Sequence, residues 1–263
     1  MEICVLIKQV PSTDQVKIDE KTGTMIRSDL ESELNPLDMY AVEEAVRIKE
    51  KNSGTKITAI SMGPASAEYT IKEAISMGCD EGVLLTDRKF AGADTLATAY
   101  TITQFLKTKK FDIIFAGERA TDGETGQVGP SVGAQLEIPI LTYVNKITKI
   151  TNENITVQRA IEGGNEVIQT TLPALITVVK EINEPRLPNL ENKLRAKKSK
   201  IKILTNEELK IKEDKIGLKG SPTRVVKVFY PKISRQGEKI VVKTSQEGVE
   251  KILMYLREKG VVS

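Results

Sequence analysis

The sequence predicts an α/β protein: a Rossmann-like, doubly wound, mostly parallel sheet with an antiparallel extension, followed by a C-terminal extended arm and helix. Three observations carry this. In the first half, short apolar runs rich in Val, Ile and Leu alternate with segments of helical apolar spacing, the pattern of strands covered on both faces by crossover helices. Beyond Leu141 four strand-like runs follow one another with only turn residues between them. From Asn183 the chain becomes Pro-rich and basic, with no compact pattern of its own.

Taken in order, the parallel strands are Ile3–Ile7, Lys56–Met62, Gly82–Leu85 and Asp112–Ala116. The first helix is Leu37–Lys51, with Ala41, Ala45 and Ile48 on one face. The second is Pro64–Met77, through Ala67, Ile71, Ala74 and Ile75, and the third is Ala93–Thr108, through Leu96, Ala99, Ile102 and Phe105. A fourth opens near Val128. The later strands are Tyr143–Ile150, Ile155–Ile161, Glu166–Leu172 and Ala174–Lys180, either antiparallel to one another or added to the same sheet. Residues 1–184 thus form the α/β domain and 185–263 an arm, closing with an amphipathic helix, Gln246–Lys259; the arm's apolar positions need a partner.

Composition narrows the chemistry. With 40% hydrophobic and 29% charged residues, the 263-residue chain is neither disordered nor fibrous. No apolar run approaches the roughly 20 residues that span a bilayer, so no membrane insertion is expected. The opening MEICVLIKQV reads as a first strand and not as a signal peptide, which predicts a cytoplasmic protein. There is no histidine, which excludes His-based triads, general bases and metal ligands. Cys4 and Cys79 lie in apolar surroundings and read as buried packing residues. The net charge of +3 is too small to imply nucleic acid.

In a doubly wound sheet, ligands bind outside the carboxyl ends of the strands, so the strand-to-helix turns are the candidates. Asn35-Pro36-Leu37-Asp38 is either a helix cap, with Asp38 returning a hydrogen bond at the third helical position, or a ligand turn. Met62-Gly63-Pro64 brings backbone close to the carboxyl edge. Thr95 and Thr98, following Asp94, put two hydroxyls on a helix's first turn, where phosphate oxygens would fit. Residues 117–133 hold five glycines (117, 123, 126, 129 and 133) among Thr121, Asp122, Thr125, Gln127 and Ser131. Such a stretch ahead of a helix suits a backbone-amide cradle for phosphate, the alternative being a flexible surface loop. It is neither a P-loop nor a G-x-G-x-x-G turn.

Together these turns resemble the electron transfer flavoprotein beta subunit, in the family's usual order. The most specific stretch is VQRAIEGGNEVI at 157–168 followed by LPALIT at 172–177. VLIKQVPSTDQVKID at the start, the NPLD and SMGP turns, the Gly-rich loop and NEPRLPNLENKLRAKK extend the likeness to about residue 200. The stretches 87–100 and 122–130, with Asp38, are similar to the electron-bifurcating subgroup. The resemblance implies an adenine-nucleotide-binding fold in which FAD, or AMP as the alternative, is held by Leu6, Lys8, Asn35, Pro36, Asp38, Met62, Gly63, Pro64, Asp94, Thr95, Thr98, Asp122, Gly123, Thr125, Gly126, Gln127, Val128, Gly129, Pro130 and Ser131. It implies NADH as electron donor, an alpha subunit carrying a second FAD, and ferredoxin and a flavin-dependent dehydrogenase (acyl-CoA or lactate type) as acceptors. No catalytic side chain is implied, since the cofactor does the chemistry.

The resemblance also gives the basic segment a role. Leu187 and Pro188 belong to a recognition loop docking on the dehydrogenase, with Arg195, Lys197 and Lys198 facing acidic partner surface. Read without it, the segment is a solvated linker. Two other classes compete: a redox-inactive adenine-nucleotide-binding protein, and a stand-alone flavin dehydrogenase for which the chain offers no proton-transfer residue.

Overall fold

A computed structural model describes residues 1–12, 32–226 and 239–262; the VLIKQVPSTDQVKID run therefore lies outside the described residues from position 13 onward. In chain order, β1 (Glu2–Leu6) is followed by a short antiparallel pair, β2 (Gln9–Pro11) and β3 (Ser32–Leu34), and then by α1 (Pro36–Lys51). β4 (Lys56–Met62), α2 (Glu68–Met77), β5 (Glu81–Leu85), α3 (Thr95–Leu106), β6 (Ile113–Gly117) and α4 (Val128–Leu136) complete the alternating half. Four strands follow: β7 (Ile140–Ile150), β8 (Asn154–Ile161), β9 (Gly164–Thr171) and β10 (Ala174–Val178). The last described elements are α5 (Leu190–Lys198), β11 (Lys202–Leu204), the short α6 (Asn206–Leu209) and α7 (Ser245–Glu258).

Nine strands share one sheet, in the order β11-β5-β4-β1-β6-β10-β7-β8-β9. β11 through β7 are parallel, and β7, β8 and β9 run antiparallel to one another. The later strands are thus both an antiparallel extension and part of the same sheet.

The period-two alternation of the strands sorts the core into two layers. Ile3, Val5, Ile57, Ala59, Ile113 and Phe115 point to the face covered by α1, α2 and Ala196 of α5. Cys4, Leu6, Ile60, Ile114 and Ala116 point to the face covered by Ala99, Ile102 and Phe105 of α3 and Val132 of α4. Both cysteines are free and buried, Cys4 in the second layer and Cys79 in the first. Burial pushes each thiol up to about 12, as expected of packing residues.

The segment after α5 differs from the sequence expectation. β11 adds a parallel edge strand beside β5, and Leu204, Ile211 and Ile216 are buried in the second core layer. Those apolar positions find their partner in this chain. The signal was weak because the strand is only three residues long and begins on Lys202 with Lys200 just before it. The chain divides into two units, Met1–Val228 and Phe229–Ser263. Within the second, α7 is amphipathic, has no buried residue, and exposes Val249, Ile252, Met254 and Tyr255.

Candidate functional site

α1 carries the chain from β1 to β4 on one face of the sheet, and α3 carries it from β5 back past β1 to β6 on the other. The winding therefore reverses between β1 and β6, and the crevice outside their carboxyl ends is where a doubly wound sheet receives a ligand. The predicted turns converge there.

Asp38 is the strut of this crevice. Its carboxylate accepts the backbone N–H of Lys8, just past β1, at 2.8 Å and that of Gly117, at the end of β6, at 3.2 Å. Burial pushes its carboxyl up to about 7, against the opposing effects of the Asn35 side chain, the two backbone N–H groups and the Lys8 charge. Gly117 is dictated by this contact: a Cβ there would lie 2.5 Å from Asp38 Oδ1 and 2.8 Å from the Leu37 carbonyl carbon.

The capping reading of the NPLD turn is corrected by these bonds. Asn35 precedes α1, with Pro36 at its first position, but its side chain caps no helical N–H. Instead Asn35 Nδ2 donates to the Arg119 carbonyl at 3.0 Å and Asn35 Oδ1 accepts from Thr121 N at 3.2 Å, so it fastens the Gly-rich loop to α1. Asp38 likewise turns to the strands, because two strand-end donors would otherwise be left unpaired in a buried place. Lys8 Nζ pairs with Asp122 at 2.5 Å, a second tie between β1 and the loop.

Of the helix starts at this edge, those of α3 and α4 are not equivalent. At α3, Asp94 accepts from Leu96 N at 3.0 Å and Ala97 N at 3.1 Å, and also from Thr223 N and Thr223 Oγ1 at 3.1 and 2.9 Å. Its carboxylate is consumed by its own helix and by the strap at 221–223. At α4 no side chain caps the helix. There the backbone N–H groups of Thr125, Gly126 and Gln127 have no acceptor among the described residues. Glu124 and Gly126 are left-handed, with φ of 51° and 62°, the backbone conformation from which anion-binding concavities of successive amides are built. An uncapped helix N-terminus carrying such amides attracts an anion.

The remaining predicted residues take different places. Thr95 Oγ1 donates to Gln127 Oε1 at 3.0 Å, joining the α3 start to the loop. Thr98 lies one turn into α3 and is half-buried. Leu6 is buried in the second core layer, and Val128 packs against it. Met62 ends β4, Gly63 N donates to the Leu85 carbonyl at 3.1 Å, and Pro64 is exposed. Gly129 is buried, where a Cβ would meet Thr177 Cγ2 at 2.8 Å. Gly123 faces open space, Pro130 is half-buried, and Ser131 N bonds the Gln127 carbonyl.

The chain matches the family model described as electron transfer flavoprotein domain over residues 22–209. It is 46% identical to an electron transfer flavoprotein subunit beta of Thermoanaerobacterium thermosaccharolyticum, across the whole of both chains. It is 42% identical to the Caffeyl-CoA reductase-Etf complex subunit CarD of Acetobacterium woodii, again across both chains. Protein FixA of Azotobacter vinelandii is 39% identical over 88% of this chain and 85% of its own length. This chain belongs to the electron transfer flavoprotein beta subunit family.

In this beta subunit the most specific stretch of the resemblance, 157–168, forms β8, the turn at Gly163 and the start of β9, and 174–177 lies in β10. The recognition-loop residues stand apart from the carboxyl-edge bonds. Leu187 is 91% exposed and Pro188 half-buried. Lys197 and Lys198 are exposed, whereas Arg195 Nη2 donates to the Ile75 carbonyl at 3.0 Å, near the end of α2. Sequence reasoning missed Leu190 and Leu194, also exposed and spaced from Leu187 by three and then four residues. It also missed Gly117 as the partner of Asp38 and Thr223 as the partner of Asp94; the latter pair is 129 residues apart.

Proposed function

We propose that this beta subunit works with an alpha subunit and holds FAD at the carboxyl edge between β1 and β6. The FAD so held would supply the redox chemistry, accepting two electrons from NADH and passing them on singly, one to the alpha-subunit FAD and onward to a flavin-dependent dehydrogenase, the other to ferredoxin. The dehydrogenase is of the acyl-CoA or lactate type, and the whole operates in the cytoplasm. The observation that carries this reading is the run of amides at Thr125, Gly126 and Gln127, without an acceptor among the described residues, ahead of the uncapped α4. Those amides suit a diphosphate, which needs several donors in a row. The name of the Acetobacterium relative places it in a caffeyl-CoA reductase–Etf complex.

On this reading Asp38 and Asn35 fix the crevice by tying β1, β6 and the Gly-rich loop together. The Thr95–Gln127 bond keeps the cradle in register with α3. Leu187, flanked by Leu190 and Leu194, docks the dehydrogenase, and Lys197 and Lys198 steer it electrostatically. Arg195 serves the fold of α5 in this scheme. No described helix is long and apolar enough to cross a membrane.

The test is the cofactor content of the purified alpha–beta heterodimer after acid release. Two FAD per heterodimer is the expected result. One FAD with one AMP rejects bifurcation and leaves a beta subunit with a structural nucleotide. A heterodimer with two FAD that NADH does not bleach rejects NADH as the donor.

A further inference from the structure

We propose that Arg186 is a positioning residue for docking: fastened to α1, it presents Leu187 to a partner protein in an already ordered segment. The inference rests on the docking reading of Leu187. Arg186 Nε and Nη2 donate to the two carboxylate oxygens of Glu43 at 2.8 and 3.0 Å, and Nη1 and Nη2 to those of Glu50 at 2.5 and 3.1 Å. The Arg186 backbone N–H adds a further bond to Glu43 at 3.2 Å. Three residues earlier, Asn183 Nδ2 donates to the Tyr40 carbonyl at 3.1 Å and to Glu44 at 3.0 Å. Tyr40, Glu43, Glu44 and Glu50 recur at helical spacing, so one face of α1 receives the whole stretch from 183 to 186.

Beyond Leu187 a second anchor follows at once. Asn189 Oδ1 accepts from Asn192 N at 2.8 Å and starts α5, which packs on α2 and is pinned there by Arg195. Leu187 therefore sits on a bridge held at both ends, yet its own side chain touches little of the fold at 91% exposure. A chain already fixed in its docking shape loses less conformational freedom on binding, so the anchors raise affinity without touching the partner. Geometry separates this role from direct contact. The Glu43 side chain is only 6% exposed and cannot reach a partner. The planar guanidinium fork engages both oxygens of each of two carboxylates, which the three donors of a lysine ammonium cannot.

The test uses alpha–beta heterodimers carrying Arg186→Ala, Glu43→Gln, Glu50→Gln or Leu187→Ala. Amide hydrogen exchange is read first, followed by steady-state electron transfer with an acyl-CoA dehydrogenase and a lactate-type dehydrogenase as probes. We expect R186A and E43Q to speed exchange at the Asn192 and Lys193 amides about tenfold, and to raise KM for the dehydrogenase about tenfold with kcat unchanged. The exposed Glu50 gives a milder effect of the same kind and replaces E43Q should that variant not assemble. Unchanged exchange in R186A overturns the proposal. So does a KM that rises in R186A but in neither Glu variant, because Arg186 would then be touching the partner itself. Where L187A raises KM and the other variants do not, only the anchor fails; an unchanged KM in L187A removes the docking reading together with the anchor's purpose.

Discussion

Asp38 allows the strut between β1 and β6 to be tested by pH. Folding pushes its carboxyl from 3.8 up to about 7, burial outweighing the hydrogen bonds that favour the charged form. A carboxyl with a raised folded pKa stabilises the fold in its protonated form. That contribution is complete below the unfolded value of 3.8 and is lost as the pH rises through about 7. The shift spans roughly three units, each worth about 1.4 kcal/mol, so the whole effect is about 4 kcal/mol. Asp38→Asn abolishes the titration. At low pH, where the wild-type carboxyl is protonated, it also costs about 1–3 kcal/mol, because the amide NH2 offers no acceptor to the N–H groups of Lys8 and Gly117. The measurement is equilibrium urea unfolding of both proteins in steps from about pH 4 to about pH 8, taking the difference between them so that all other groups cancel. The wild type should lose about 4 kcal/mol relative to the variant across that range. A difference flat to within about 1 kcal/mol would refute the buried strut, since Asp38 would then ionise as in water. A difference of opposite sign would mean that the two hydrogen bonds outweigh burial.

Gly117→Ala places a Cβ against Asp38 Oδ1 and the backbone of Leu37, neither of which can swing away, and should cost about 2–3 kcal/mol in denaturant unfolding; a neutral substitution would show that α1 and β6 are not in contact. Asp94→Ala removes both the α3 cap and the acceptor for Thr223. It should lower stability by about 1–2 kcal/mol and open residues 217–226 to limited proteolysis, and continued resistance there would mean that other contacts hold the strap. Lys8→Met breaks the ion pair with Asp122 at a half-exposed place, so thermal unfolding should change by less than about 1 kcal/mol. A larger, salt-insensitive loss would show that the pair is buried against the loop.

Much of this protein was readable along the chain because the signals are local. Alternating apolar runs and helical spacing specify the strands and helices of residues 1–136, and apolar continuity in Ile113–Ala116 says that both faces of that strand are covered. The glycines between 117 and 133 mark where backbone approaches closely. The family likeness then orders those turns into one site. Tertiary structure decided what each turn does, because the deciding contacts join residues far apart in sequence. Asn35 and Asp38 look like a helix cap until β6 and its loop, 79 to 86 residues away, supply Gly117, Arg119 and Thr121 as partners. The starts of α3 and α4 both look like phosphate sites until Asp94, held by Thr223, caps the first and nothing described occupies the amides ahead of the second. The basic segment reads as a free arm because charge dominates its composition, yet Arg186 finds Glu43 and Glu50 on α1. Sequence spacing sets which groups can be presented on one face of one element; only packing decides which donors at the carboxyl edge are taken up by the chain itself and which are left open.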